Sequence, residues 1–132
     1  MRVESEGSTT IDWAFPTPDP PPFTTIAWRI CHLAGPALAL RASNHFGDGS
    51  WRLDRHDWPI TAAGGIDFLE HGYHAWHDAV RRGGIERLTQ PTGPAEGPYA
   101  RHPFATLVLH LNRELMHHGG ESGTLRDLYL RR

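Results

Sequence analysis

Apolar residues recur at helical spacing in three separate stretches of the chain. In the first, Ile26, Ile30, Leu33, Ala34, Ala37 and Leu38 follow a 3.6-residue period up to Arg41. Thr24 or Thr25 can supply the N-cap oxygen. Pro36 lies inside this predicted helix and should kink it, because its ring clashes one turn back and its missing amide frees a carbonyl. A second helix, about 62 to 82, is capped by Thr61 and carries Ile66, Leu69, Tyr73, Trp76 and Val80 as its apolar stripe. Gly83-Gly84 should end it. The third opens near Pro103 and runs through Leu107, Leu111, Leu115, Leu125, Leu128 and Leu130 to the basic end Arg131-Arg132. Gly119 and Gly120 sit within it at about 1 kcal/mol each against Ala, so the pair implies close packing or room for a bound group.

The intervening segments lack such periodicity. Residues 44 to 59, with Gly47, Asp48 and Gly49, read as an irregular loop, and residues 89 to 103 as a second loop rich in Pro and Gly. Residues 1 to 23 contain Pro16, Pro18, Pro20, Pro21 and Pro22, which forbid helix and favour extended backbone. Ile11, Trp13, Phe15 and Phe23 are too apolar for a free linker and should hold this arm along the domain of residues 24 to 132. No segment alternates polar and apolar residues over a strand's length, so the predicted class is all-α. Three long helices make an awkward closed core, and a four-helix bundle is the commoner solution. The fourth wall is expected from the arm, from a partner chain in a homodimer, or from sequence outside this chain.

Composition narrows the classes of function. Thirteen Lys+Arg against fifteen Asp+Glu give a net charge of −2 with no basic stripe, which argues against nucleic acid. No apolar run approaches the ~20 residues of a membrane span, and the first ten residues hold no apolar leader core. One cysteine, Cys31, allows no internal disulfide and suits a reducing, cytoplasmic compartment; by its placement it reads as core packing. Ten histidines are far more than a domain of 132 residues usually carries, so metal or proton chemistry is worth pursuing.

The third helix concentrates His110, Glu114, His117, His118 and Glu121. Residues 110, 114 and 118 advance by about 40° per step and share one face, so a Glu and a His one turn apart can reach one cation. The alternative is an exposed helical pair worth a few tenths of a kcal/mol. His32, in an otherwise apolar stretch of the first helix, should enter the interior, either as a hydrogen-bonded core residue or as a third ligand. With Glu114 and His118 it makes a two-histidine, one-carboxylate set, which leaves a coordination position open in the manner of catalytic sites. His71, His74 and His77 read as a solvated face of the second helix.

The stretch WRICHLAG followed by VLHLNRELMHHGGESGTLRDLY resembles the DinB/YfiT-like superfamily over about residues 11 to 131. The resemblance implies a four-helix bundle whose divalent metal is held by His32 and His118. Glu114 stands where the family pattern has a histidine. It also implies a helix before the Pro-rich approach, and this chain starts inside that approach. The activity implied is that of a thiol-dependent S-transferase or isomerase acting on a small-molecule substrate. Zn2+ is the first choice of metal, Ni2+ or Fe2+ the alternatives, and a low-molecular-weight thiol the co-substrate. A metal-dependent hydrolase is one competing reading, and a non-catalytic, stress-related bundle with a residual metal site is the other. His117, Arg113 and Arg126 are the candidates for supporting the ligands or holding substrate. Trp51, Trp58, His45 and His56 are expected to form a polar-aromatic mouth.

Overall fold

A computed structural model of the chain describes residues 2–3, 9–10, 19–21 and 23–132. Helix α1 (Ile26–His32), a π-helical segment (Leu33–Ala39) and α2 (Leu40–Phe46) form one continuous helical run. Thr25 caps it, its Oγ1 accepting from the Trp28 N–H at 3.1 Å. Pro36 falls inside the π segment. The expected disruption at Pro36 therefore takes the form of wider turns rather than a break, since the missing amide is tolerated where the hydrogen-bond ladder is already loosened.

Helix α3 spans Ala62–Thr89 and is capped by Thr61, whose Oγ1 accepts from Gly64 at 3.0 Å. The predicted stop at Gly83-Gly84 is a kink instead: Gly84 adopts φ 59° and the helical run resumes to Thr89. Helix α4 spans Phe104–Leu130 without interruption at Gly119-Gly120. The loop between them is tied by a Pro91–Pro103 bridge and by bonds from Thr92 N to His102 O (2.9 Å) and Phe104 N to Gln90 O (2.8 Å). A two-residue antiparallel pair, Arg2–Val3 with Thr9–Thr10, is the only strand pairing among the described residues. The architecture is all-α, with three long helical rods. The expectation for Ile11, Trp13 and Phe15 lies outside the described residues.

The core is made by Leu33, Leu38 and Ala42 of the first rod, Trp76 of α3, and Phe104, Leu107 and Leu111 of α4. Phe104 is fully buried, edge-on to Phe46 and beside Trp76, with the Arg87 guanidinium 3.8 Å above its ring. Of the stripe expected on α3, Trp76 is buried and Leu69 and Val80 pack against the core, but the inner face is rotated away from the other two residues. Ile66 and Tyr73 are exposed, whereas Gly65, Gly72, Trp76 and Ala79 face inward. Glycine explains the rotation, because it lets two backbones approach closely: a Cβ on Gly72 would stand 2.7 Å from the Ala34 carbonyl oxygen in the π segment. The leucine stripe of α4 leaves the core after Leu115, and Leu128 and Leu130 are exposed. Trp58 and Cys31 form a second buried cluster with Trp28, Trp51 and Phe68 around them. His56 stacks on Phe68 and His45 is buried against Phe104. Of the expected aromatic mouth, Trp58 and the His45 side chain are therefore buried, while Trp51 and His56 are half-buried against apolar neighbours.

Gly72→Ala should destabilise the fold by about 1–3 kcal/mol, since backbone must shift to admit the methyl group. Gly119→Ala and Gly120→Ala should raise stability by up to about 1 kcal/mol each, because an added Cβ there meets no atom within 4 Å. That open space also removes close packing as the reason for the pair. Urea denaturation of the three variants checks both signs.

Candidate metal centre

α1 brings His32 to the inner side of the first rod, one residue before the π segment. α4 places Glu114 and His118 one turn apart on the face it turns toward α1. His32 Nε2 lies 3.6 Å from Glu114 Oε2, and His118 Nε2 lies 3.5 Å from the same oxygen. One ligand atom from each residue fits within a 4.8 Å span. Two ligands on a tetrahedral cation with ~2.1 Å bonds stand about 3.4 Å apart, close to both of these separations. Both separations are longer than the ~2.7–3.2 Å of a good N–H···O bond and short enough for the three residues to share one ion.

The electrostatics favour ligand-ready protonation states. Burial, and then the neighbouring His118, lower the pKa of His32 and so keep its imidazole neutral near pH 7. Burial alone would raise the Glu114 carboxyl, but Arg113 and His32 beside it hold it below the usual carboxylate range. Trp28 stacks on the His32 ring at 4.9 Å with a 6° interplanar angle, and meets His118 edge-on at 6.0 Å. The aromatic wall restrains both imidazoles.

Two residues outside the predicted trio complete the arrangement. His118 Nδ1 is 2.7 Å from Glu121 Oε2, which accepts the N–H. With Nδ1 engaged by Glu121, Nε2 is the ring nitrogen turned toward Glu114 and the one that would be offered to an ion. Arg29, 6% exposed, donates from Nε to the same Glu121 oxygen at 2.8 Å and also hydrogen-bonds the Thr24 carbonyl. These bonds from Arg29 and His118 lower the Glu121 pKa to about 2. Glu121 sits three residues after His118 and Arg29 three before His32, but no local spacing links the two across 92 residues. A second grouping, His117, His118 and Glu121, also falls within ligand reach. It is the weaker candidate, because the Glu121 carboxylate is already tied through Oε2 to Arg29 and to His118 Nδ1, and His117 is exposed.

The other nominated residues divide. Arg113 NH2 is 3.3 Å from Glu114 Oε1 and 2.8 Å from His110 Nδ1, so it borders the cluster. His117 is exposed, with Nε2 3.4 Å from Glu121 Oε1. Arg126 pairs with adjacent Asp127 at 2.9 Å and is exposed, which leaves it no contact with the cluster among its recorded interactions. His71 and His74 are exposed and His77 is half-exposed, with bonds to Asp67 O and Asp78, as a solvated face requires.

An all-α bundle with two histidines and a carboxylate facing one another defines the class to which this chain should be compared. The DinB superfamily model matches residues 7–122, and the chain belongs to that superfamily. No curated protein and no solved structure matches it. Among the described residues no helix is long and apolar enough to cross a membrane.

Cys31 is 1% exposed, and burial pushes its thiol up to about 11. At pH 7.5 it should react with iodoacetamide at least ~100-fold more slowly than a free cysteine of pKa ~8.5, the rate climbing as pH rises toward 11. Mass-spectrometric alkylation kinetics on the folded chain measure this directly.

Proposed function

We propose that this protein is a metal-dependent enzyme in which His32, Glu114 and His118 hold one divalent cation, Zn2+ first and Ni2+ or Fe2+ as alternatives. The observation that carries the reading is the 2.7 Å contact between His118 Nδ1 and Glu121 Oε2, with Glu121 in turn held by Arg29. The Glu121 carboxylate, held ionised by buried Arg29, turns Nε2 inward. A surface Glu–His pair has no need of a buried arginine from another helix to orient it. Two neutral imidazoles and one carboxylate carry a charge of −1, so a bound divalent cation would leave the site at +1 and suited to an anionic ligand.

The reaction class that best suits such a site within this superfamily is transfer or isomerisation at the sulfur of a low-molecular-weight thiol. The cation would lower the pKa of a thiol or water bound in its open position, giving a nucleophile at neutral pH. The chain's own residues do the rest. Glu121 and Arg29 fix His118, Trp28 restrains His32, and Arg113 borders Glu114 where a substrate would enter. Cys31 is too buried and too basic a thiol to be the nucleophile.

Glu114→Ala and His118→Ala should each abolish stoichiometric divalent-metal binding, whereas His74→Ala should retain it. Glu121→Gln should keep the stoichiometry and lower affinity about 10–100-fold, the usual effect of removing a carboxylate that orients a ligating histidine. Elemental analysis and competitive chelator titration give the two quantities. Equal metal content in all four proteins would place the site elsewhere.

The loaded protein should turn over an electrophile only with an added small thiol, and His118→Ala should lose that activity while Cys31→Ser keeps most of it. A panel of thiols with Zn2+, Ni2+ or Fe2+ tests this. Ester or amide cleavage without thiol would point to a hydrolase, and metal binding without turnover to a silent bundle.

A further inference from the structure

Helix α4 carries a second pattern that its own core does not use. Leu109, Met116, Gly123 and Leu130 recur every seven residues along it. Ala105, Asn112, Gly119 and Arg126 recur every seven residues between them. Alternate steps of four and three are the signature of a helix–helix seam, and this one runs about 37 Å, from residue 105 to residue 130. At about 100° per residue it lies well away from the core-facing Leu107 and Leu111. Leu109, Met116 and Leu130 are 68%, 72% and 70% exposed. Single exposed apolar residues are ordinary, but these lie on one line along one helix.

The glycines of α4 belong to the same surface. Gly119 and Gly123 are on the seam and Gly120 is beside it, and a Cβ on any of the three meets no atom within 4 Å among the described residues. Each weakens the helix relative to Ala, and nothing described in the same chain takes the place of the missing side chain. The open space excludes packing within one chain as their purpose and leaves packing by another, because a second helix backbone approaches most closely where side chains are absent.

The seam is complementary to itself in one orientation. With a copy set antiparallel about a two-fold axis between residues 117 and 118, Leu130 faces the partner's Ala105 and Met116 faces the partner's Gly119. Asn112 faces the partner's Gly123, and Leu109 faces the partner's Arg126. Three of these four layers set a larger side chain against Ala or Gly, and in the fourth the arginine stem lies along leucine with its charged head free to reach solvent. A parallel pairing would instead set glycine on glycine at two layers, leaving voids, and would bring two Arg126 charges side by side. Asn112 is the one uncharged polar side chain on the seam, and a single such residue fixes the register of a helix pair. A net charge of −2 opposes self-association only weakly.

We propose that α4 is the dimerisation surface of this protein and that its occupant is α4 of a second copy, packed antiparallel along this seam. A strip about 37 Å long and one helix wide is at the small end of specific interfaces, so the dimer forms at micromolar rather than nanomolar concentration. Glu114 and His118 are on the face that α4 turns toward α1, so the pairing leaves the candidate metal centre uncovered. It stands whether or not those residues hold an ion.

The test is sedimentation velocity of the full-length chain over about 1 to 500 µM, the range in which a small helix–helix interface assembles. A reversible monomer–dimer equilibrium is expected. Met116→Asp and Leu109→Asp should each raise the dissociation constant at least about tenfold. Ile85→Asp, which removes an equally exposed apolar side chain from α3, should leave it unchanged. Gly119→Leu separates the interface from the fold. It should raise the melting temperature of the dilute monomer through helix propensity, yet weaken the dimer at least about tenfold by filling the space the partner needs. Cross-linking in a Cys31→Ser background reads the orientation: Leu109→Cys and Arg126→Cys chains should form a disulfide with each other when mixed, and neither with itself. A chain that stays monomeric to the top of the concentration range, its seam then covered by another segment of the same chain or by nothing, would overturn the proposal. So would a dimer indifferent to Met116→Asp and Leu109→Asp, a dimer unweakened by Gly119→Leu, or Leu109→Cys cross-linking to itself.

Discussion

The Arg29 side chain is buried and must be paired, and its partner lies 92 residues away on another helix. The Glu121 oxygen that pairs it also accepts the Nδ1 proton of His118. One ion pair thus ties α1 to α4 and settles the orientation of an imidazole at the candidate metal centre. Removing Glu121 strands the buried Arg29 charge and frees the His118 ring at the same time. Structural integrity and site geometry are therefore coupled through a single carboxylate.

The π segment acts on the same arrangement from the other side. It begins immediately after His32 and carries Ala34, whose carbonyl oxygen faces Gly72 of α3. Widened turns let Pro36 sit inside a continuous helix, and the glycine lets α3 approach that rod closely. Loosened hydrogen bonding of this kind is common beside functional sites, where it re-aims side chains relative to an ideal helix. Trp28 then packs flat on His32, so the ring's freedom is limited by stacking as well as by the helix that bears it.

Polar groups are also organised beyond the cluster. His45 and Glu96 join the first rod to the 91–103 loop, and the His45 hydrogen bond, with Arg41 nearby, outweighs burial to lower the Glu96 pKa. That pairing fastens the loop to the first rod.

Local rules in the sequence were enough to determine three long helices, the caps at Thr25 and Thr61, the loop before α4, and the nomination of His32, Glu114 and His118. Each depends on spacing along one element or on a turn's chemistry, which neighbouring residues decide among themselves. Tertiary structure alone decided which faces are buried. Ile66 and Tyr73 are as apolar as a core stripe requires, yet Gly65 and Gly72 take the inner face because close approach of two backbones demands the absence of a side chain. Trp58 and His45 became interior because their partners, Cys31 and Phe104, belong to other elements. In sequence Glu121 was only one of the polar residues gathered on the third helix, and Arg29 drew no reading. Their role arises only from a contact across 92 residues, where burial makes pairing obligatory and no periodicity can signal it.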